Sequence, residues 1–413
     1  MASRVFLHIG LPKTGSTYLQ DILRTNHVAL VAQGLLLPGR RGDHYRAYLD
    51  VGGYLESGKR GDPGRVPGTW DALVAESHDW AGDVLFTSEL FCGLRSNQIA
   101  RVVEDLQPAE VHVIIVVRDL ARSIPAAWQQ SVKIGVRTSL SDYCQSIMDR
   151  TPATSRFREF RFPDKVLRRW SRHVPAQRIH VVTIAPPGSP RELLWQRFSQ
   201  VIGVAPDSCR LTQTRSNESL GATEAELVRR VNVHVVPRMH RVEVIRWVRD
   251  ELANRLLALR DDRQRFGVPE GALPWAAEES RRIAKILAER GYDVQGDLDE
   301  LVSSPRDTHA HSPDNVGDEQ LLAVATETIA ELLVRLRDSH RRERVARRQL
   351  RRTRGRLRTM QRRQRGPRRA LRRLRRAPSG VLRRLGLSRG GPRGSSCAGR
   401  PGSRPSRSSS SRR

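Results

Sequence analysis

The most constraining feature of this sequence is an apolar segment that runs straight into a turn flanked by glycines, residues 5–19, VFLHIGLPKTGSTYL. The apolar run at its start predicts a central strand of a parallel sheet, covered on both faces. Gly10 and Gly15 allow the turn's backbone to approach a ligand, and Ser16 and Thr17 are residue types that begin helices. Such a helix presents its free N–H groups to the turn, where Lys13 adds a positive charge. The segment therefore predicts a binding site for a phosphate-like anion.

The order of residues in this turn differs from that of a Walker phosphate loop. A Walker loop places its lysine directly after the second glycine, whereas Lys13 precedes Gly15 here. The alternative interpretation is a strand, turn and helix with an incidental lysine.

Further apolar runs predict strands at 84–89, 111–117 and 179–184, separated by segments with helical spacing. Strands alternating with helices of this size predict an α/β fold of three α/β/α layers around a central parallel sheet. Residues 40–68 are rich in turn-forming residue types and predict a loop, and 220–305 have a helical pattern. Parallel sheets bind ligands at the carboxyl ends of their strands.

Positive charge is concentrated at the end of the chain. Residues 341–413 contain 28 arginines and one glutamate, so they carry +27 of the net +29, and residues 1–340 carry only +2. We predict a domain over 1–305, a linker over 306–317, a basic helix and coiled coil over 318–366, and a disordered Arg/Ser/Gly/Pro-rich tail over 367–413.

The predicted basic helix suggests two kinds of partner. Apolar residues alternate at spacings of three and four through 322–336, which favours a homodimer through that segment. The arginines that follow would bind a polyanion or an anionic membrane surface, or form a solvated extension without a partner. Both interpretations of the arginines stay open.

The four cysteines, Cys92, Cys144, Cys209 and Cys397, are scattered and form no pattern typical of a metal site or a disulfide framework. The chain begins with no apolar leader and has no run of 18 apolar residues. We expect a cytoplasmic protein, with peripheral membrane contact through the tail as one option.

Several motifs resemble those of a known enzyme family. They are HIGLPKTGSTYLQ (8–20), SEL (88–90), VVRDLARSIPAAWQ (116–129), SNESLG (216–221) and GYDVQGDLDEL (291–301). Over residues 4–305 the chain resembles bacterial sulfotransferases of the P-loop-like fold, which use 3′-phosphoadenosine 5′-phosphosulfate (PAPS) as donor. The first motif is specific for that superfamily, and the others carry weight only together.

The resemblance implies a donor site. The backbone of 14–17, the hydroxyls of Thr14, Ser16 and Thr17, and the neighbouring Gly15 and Tyr18 would hold the 5′-phosphosulfate. Lys13 would neutralise the bridging oxygen as the S–O bond breaks, without a metal ion.

Arg118 matches the arginine that binds the 3′-phosphate in this family. The alternative is a strand-end arginine paired with Asp119 or another acid. The family usually has a serine eight residues later, but Ala126 stands there. Either Ser123, one helical turn earlier, takes that role, or it caps a helix in which Pro125 is the first residue.

The resemblance also implies acceptor-side residues. Glu89 is expected to act as the general base, unless it is a capping or ion-paired glutamate. His8 is the second candidate, unless it is a buried residue that orients the turn.

Two further sets of residues complete the expected site. Trp128, Gln129 and Lys133 would line an acceptor pocket, although a tryptophan at helical spacing is also typical of a core. Arg215 and Asn217 would close over the nucleotide.

Three function classes follow from these observations. The first is a PAPS-dependent sulfotransferase acting on a hydroxyl acceptor: a carbohydrate, glycolipid, phenol or small metabolite. The second is a kinase-type transferase, which predicts Mg²⁺ dependence and a Walker order that the sequence lacks. The third is a non-catalytic polyanion- or membrane-binding protein on a sulfotransferase-like scaffold. We favour the first.

Overall fold

The computed structural model describes residues 1–54, 67–211, 219–302 and 311–375. Within them, six strands form one parallel sheet in the order β2-β3-β1-β4-β5-β6. The strands are β1 Arg4–Gly10, β2 Leu35–Leu36, β3 Asp83–Thr87, β4 Glu110–Val117, β5 Ile179–Thr183 and β6 Asp293–Gln295.

Helices cover both faces of this sheet. The α-helices of the described residues, whether or not they contact the sheet, are α1 Ser16–Thr25, α2 His27–Ala32, α3 Asp43–Val51, α4 Thr69–His78, α5 Ser96–Asp105, α6 Leu120–Lys133, α7 Leu140–Met148, α8 Ser155–Arg161, α9 Pro163–Trp170, α10 Glu192–Val201, α11 Ala222–Val235, α12 Arg241–Val244, α13 Leu273–Glu289 and α14 Asp318–Arg375. A π-helical segment, Ile245–Asn254, follows α12 directly.

The alternation of side chains along β1 shows why the sheet lies between two helical layers. Val5, Leu7 and Ile9 belong to one buried apolar cluster, whereas Phe6 belongs to a second cluster on the opposite face. Successive strand residues point to opposite faces, so a strand buried on both must be covered twice. The predicted three-layer α/β fold is therefore confirmed.

The register brings three strand ends together at one edge. His8 of β1 pairs with Thr87 of β3, and the Ser88 N–H donates to the His8 carbonyl at 3.0 Å. On the other side, the Leu11 N–H donates to the Val116 carbonyl at 2.9 Å. The turn after β1 therefore lies between the residues that follow β3 and β4, as the sequence predicts.

Two elements differ from the prediction. The loop predicted over 40–68 contains helix α3, whose residues Ala47, Tyr48 and Leu49 are buried. In the sequence, the many turn-forming residues on both sides of this helix hid the spacing of its apolar residues. The helical pattern predicted over 220–305 also includes β6, a three-residue edge strand that pairs with β5. A strand of three residues, Asp-Val-Gln, is too short to show an alternating pattern.

The first compact unit of the chain comprises Met1–Ala330, so it includes only the first turns of α14. There Leu321 and Val324 are buried, while Leu322 and Ile329 are exposed. The helix predicted over 318–366 spans Asp318–Arg375 and continues past Pro367. The domain boundaries, the homodimer through 322–336 and the partner of the arginines all stay predictions.

No helix in the described part of the chain is long and apolar enough to cross a membrane.

Candidate active site

The turn between β1 and α1 has a backbone suited to binding an anion. Lys13 and Gly15 both have left-handed φ angles, 68° and 84°. Gly15 is the N-cap of α1 and no side chain caps the helix, so the first N–H groups of α1 have no intrahelical partner and face the turn. A Cβ at Gly15 would lie 2.6 Å from Leu194 Cδ2, so a side chain there would meet α10.

Two of the expected hydroxyl ligands hold the turn itself. The Thr14 hydroxyl donates to the Leu11 carbonyl, and Ser16 Oγ lies 3.5 Å from the same oxygen. Both side chains are buried, whereas Thr17 is exposed. Tyr18 is half-buried, and burial raises the pKa of its phenol. The Thr14 and Ser16 hydroxyls therefore stabilise the turn through contacts within it.

Three cationic side chains converge on this turn. Arg118 Nη1 donates to the Lys13 carbonyl at 3.3 Å, and Arg161 Nη1 donates to the Pro12 carbonyl. Arg118 and Arg161 are half-buried, while Lys13 is exposed at the surface of the turn. Nothing in the sequence singled out Arg161, which ends α8 far from the glycine-rich segment.

Burial and mutual repulsion make it unfavourable for these three side chains to carry their positive charges. Burial, with repulsion from Arg122 and Arg161, lowers the pKa of Arg118 to about 10. Removal from solvent by surrounding protein atoms, together with repulsion from Arg161, lowers the pKa of Lys13, and burial lowers that of Arg161. None of the three forms an ion pair within the described residues. Glu89 and Asp119 offset this repulsion only in part, so the gathered like charges create a positive potential that favours an anion.

Arg118 also has a buried atom without a partner. Its Nε makes no hydrogen bond to any described residue. Asp119, the acid that the sequence offered as its partner, caps α6 and pairs with Arg122, which also donates to the Ile184 and Ala185 carbonyls. The unsatisfied guanidinium N–H is a donor suited to a phosphate oxygen.

Glu89 lies at the end of β3, directly against the turn. Gln20 Nε2 donates to Glu89 Oε2 at 3.3 Å and lies 3.4 Å from Thr87 Oγ1. A Cβ at Gly10 would lie 2.8 Å from the Glu89 carbonyl oxygen, so the two backbones approach as closely as a glycine permits. The negative charge of Glu89 acts to raise the pKa of Lys13, which shows that the two side chains are neighbours.

His8 is fully buried, with 0% of its surface exposed. Its Nδ1 lies 2.8 Å from Thr87 Oγ1, its Nε2 has no partner among the described residues, and burial lowers its pKa to about 4. Its contact with Thr87 links β1 to β3, and its burial fits the alternative of a buried residue, while a catalytic role of His8 stays a prediction.

Ser123 lies in the first turn of α6 and donates to the Arg118 carbonyl at 3.4 Å. The helix begins at Leu120 with Asp119 as its cap, and Pro125 lies inside it. The alternative in which Ser123 caps a helix that begins at Pro125 is therefore wrong. Ser123 is 8% exposed and contacts the backbone of Arg118.

The residues expected to line an acceptor pocket on α6 are engaged elsewhere. Trp128 is fully buried and donates to the Thr138 carbonyl at 3.0 Å. Gln129 donates to the Leu220 carbonyl, and Lys133 to Asn254 Oδ1. These contacts hold α6 against its neighbours, and the buried Trp128 fits the alternative of a core residue, while an acceptor pocket lined by Gln129 and Lys133 stays a prediction. Arg215 and Asn217 lie outside the described residues.

Comparisons with known proteins leave the family open. No protein-family model and no curated protein matches the sequence. Among solved structures, the chain is similar to a sulfotransferase from Alicyclobacillus acidocaldarius, with 12% sequence identity and a TM-score of 0.28. The match covers 59% of this chain and 94% of that one. At this identity and score the match carries no argument about function, which therefore rests on the site itself.

Proposed function

We propose that the protein transfers a sulfuryl group from PAPS to a hydroxyl acceptor. The observation that supports this is the convergence of Lys13, Arg118 and Arg161 on the turn before α1 without an ion pair among the described residues. Three cations and the N-terminus of α1 suit a donor that carries a phosphosulfate at one end and a phosphate at the other.

The side chains divide into two groups around such a donor. The first N–H groups of α1 and Lys13 would hold the phosphosulfate, with Arg161 adding charge beside Lys13. Arg118, whose Nε lacks a partner, would bind the 3′-phosphate. Ser123 would help to position Arg118 for that phosphate, because the Ser123 hydroxyl donates a hydrogen bond to the Arg118 carbonyl.

When bound, PAPS supplies the sulfuryl group together with a stable leaving phosphate. Glu89 would accept the proton of the acceptor hydroxyl while the oxygen of that hydroxyl forms a bond to sulfur. Lys13 would neutralise the charge that develops on the bridging oxygen as the S–O bond breaks. Sulfuryl transfer resembles phosphoryl transfer in requiring positioning and charge stabilisation from the protein.

Titration calorimetry of the full chain with 3′-phosphoadenosine 5′-phosphate, without metal, tests the donor site. Arg118→Gln and Arg161→Gln should each weaken binding by about tenfold or more, because each removes a charge-assisted contact. Arg168→Gln, an exposed arginine on α9, is the control, because it removes the same charge and leaves the arginine-rich tail unchanged. Equal affinities of all three variants would favour the non-catalytic polyanion-binding interpretation.

A further inference from the structure

A cleft of about 620 Å³ lies beside the C-terminal half of α1. Its walls come from the C-terminal half of α1, from residues 37–41 and from the start of α3. Cavities of this volume are typical of small-molecule sites. We call it the Arg24 cleft, after the α1 arginine that lines it together with Asp21, Arg40, Arg41 and His44.

Glu89 does not line the Arg24 cleft, but it is close to two residues that do. Arg24 is one helical turn beyond Gln20, whose amide contacts Glu89, and the charge of Glu89 acts to raise the pKa of Arg24. His44 accepts the Thr87 N–H at 3.1 Å through Nδ1, two residues before Glu89. The cleft therefore lies on the side of α1 from which an acceptor could approach the candidate base.

The charge of the cleft is unbalanced. Burial, followed by repulsion from Arg41, lowers the pKa of Arg24, with Asp21 opposing this effect. Neither Arg24 nor the exposed Arg40 and Arg41 makes an ion pair with any residue in the described ranges. Three arginines against one aspartate leave a net positive site, and a guanidinium binds carboxylates and sulfate esters through two parallel hydrogen bonds.

The segment that carries Arg40 and Arg41 is held in place by polar contacts. The Gly39 N–H donates to Glu76 Oε2 at 2.9 Å, and the Arg40 N–H donates to Asp43 Oδ2 at 2.8 Å. The Pro38 carbonyl accepts from His44 Nε2 at 2.9 Å. These contacts fix the backbone that presents Arg40 and Arg41 to the cleft.

Most residues of the lining carry polar side chains. Of its ten residues seven have a polar side chain, and the others are Leu37, Pro38 and Gly39. Asp21 supplies an acceptor for ligand hydroxyls. Building on the function proposed above, we propose that the Arg24 cleft binds the acceptor, and that this acceptor is polyhydroxylated, of saccharide type, and carries a carboxylate or a sulfate ester.

Two matched disaccharides test this proposal: cellobiose, and cellobiouronic acid, which differs from it by one carboxylate. Each is titrated calorimetrically into the full chain saturated with 3′-phosphoadenosine 5′-phosphate. Cellobiouronic acid should bind about tenfold more tightly than cellobiose. The double variant Arg24→Gln/Arg41→Gln should bind the acid no better than cellobiose.

The control variant Arg168→Gln/Arg172→Gln removes the same charge from exposed positions of the same compact unit. It should keep the preference for the acid. The proposal would be overturned if the wild type bound both sugars equally or bound neither. It would also be overturned if the two double variants showed the same preference for the acid. Failure of the wild type to bind 3′-phosphoadenosine 5′-phosphate would instead overturn the proposed function, so the two failures are distinct.

Discussion

The side-chain amide of Gln20 donates a hydrogen bond of 3.3 Å to Glu89 Oε2. Gln20 lies in the second turn of α1, the helix whose N-terminus faces the turn after β1. One helix therefore both presents N–H groups to the turn that would hold the donor and orients the Glu89 carboxylate. This hydrogen bond links two segments that are 69 residues apart in the chain.

Lys13→Ala should reduce turnover by about a hundredfold or more, because it removes the charge that stabilises the leaving group. The fold should survive, since Lys13 is exposed and makes no ion pair within the described ranges. Single-turnover kinetics, with thermal unfolding as the control for folding, measure both effects. Near-normal turnover would exclude the assigned role.

Glu89→Gln should reduce kcat by about a hundredfold or more while the affinity for 3′-phosphoadenosine 5′-phosphate stays the same, because the amide keeps the shape but cannot accept a proton. Steady-state kinetics and calorimetry on one preparation separate the two quantities. Equal losses in kcat and in the affinity for 3′-phosphoadenosine 5′-phosphate would indicate that Glu89 has a structural role.

Gly10→Ala should destabilise the first compact unit and abolish donor binding. The new Cβ would lie 2.8 Å from the Glu89 carbonyl oxygen at a φ of 127°, which side chains rarely adopt. Such strain costs about 1–3 kcal/mol. Gly271→Ala is the matched control, because a Cβ there meets nothing within 4 Å and its φ is not positive. Similar melting temperatures for the two variants would contradict the close approach of the two backbones.

The stability of the first compact unit should fall as the pH falls from 6.5 to 4. Burial lowers the pKa of both His8 and His44 to about 4, so the unfolded chain binds more protons than the folded one in this range. Each histidine contributes up to about 3 kcal/mol above pH 6.5, and this contribution is lost at about pH 4.

Urea unfolding at pH 7 and pH 5, followed by tryptophan fluorescence, measures this loss, because all seven tryptophans lie within residues 1–330. His44→Gln should show a smaller difference in the free energy of unfolding between the two pH values. If the variant and the wild type showed the same difference in the free energy of unfolding, the pKa of His44 would not be lowered in the folded protein.

The hydrophobic pattern was sufficient to predict the sheet and most of its helices. Strands β1 and β4 are long apolar runs, and the glycine-flanked turn between β1 and α1 is encoded in consecutive residues. Glu89 and Arg118 were identified because each follows a strand, and parallel strands end at one edge. These inferences depend only on local periodicity and chain order.

Local patterns did not reveal the residues that approach this edge from elsewhere. Arg161 contacts Pro12 across 149 positions, and Arg24 of α1 and Arg41, which precedes α3, line the same cleft. Their positions depend on how separate helices pack, which no short segment encodes.

The sequence alone determined a parallel α/β fold and the glycine-flanked turn after its first strand, because backbone geometry and burial follow from neighbouring residues. Only the tertiary structure decided that three cations approach this turn, that His8 is enclosed, and that three arginines line one cleft beside α1. Charges act through space, so the balance of a site is set by residues that are distant along the chain.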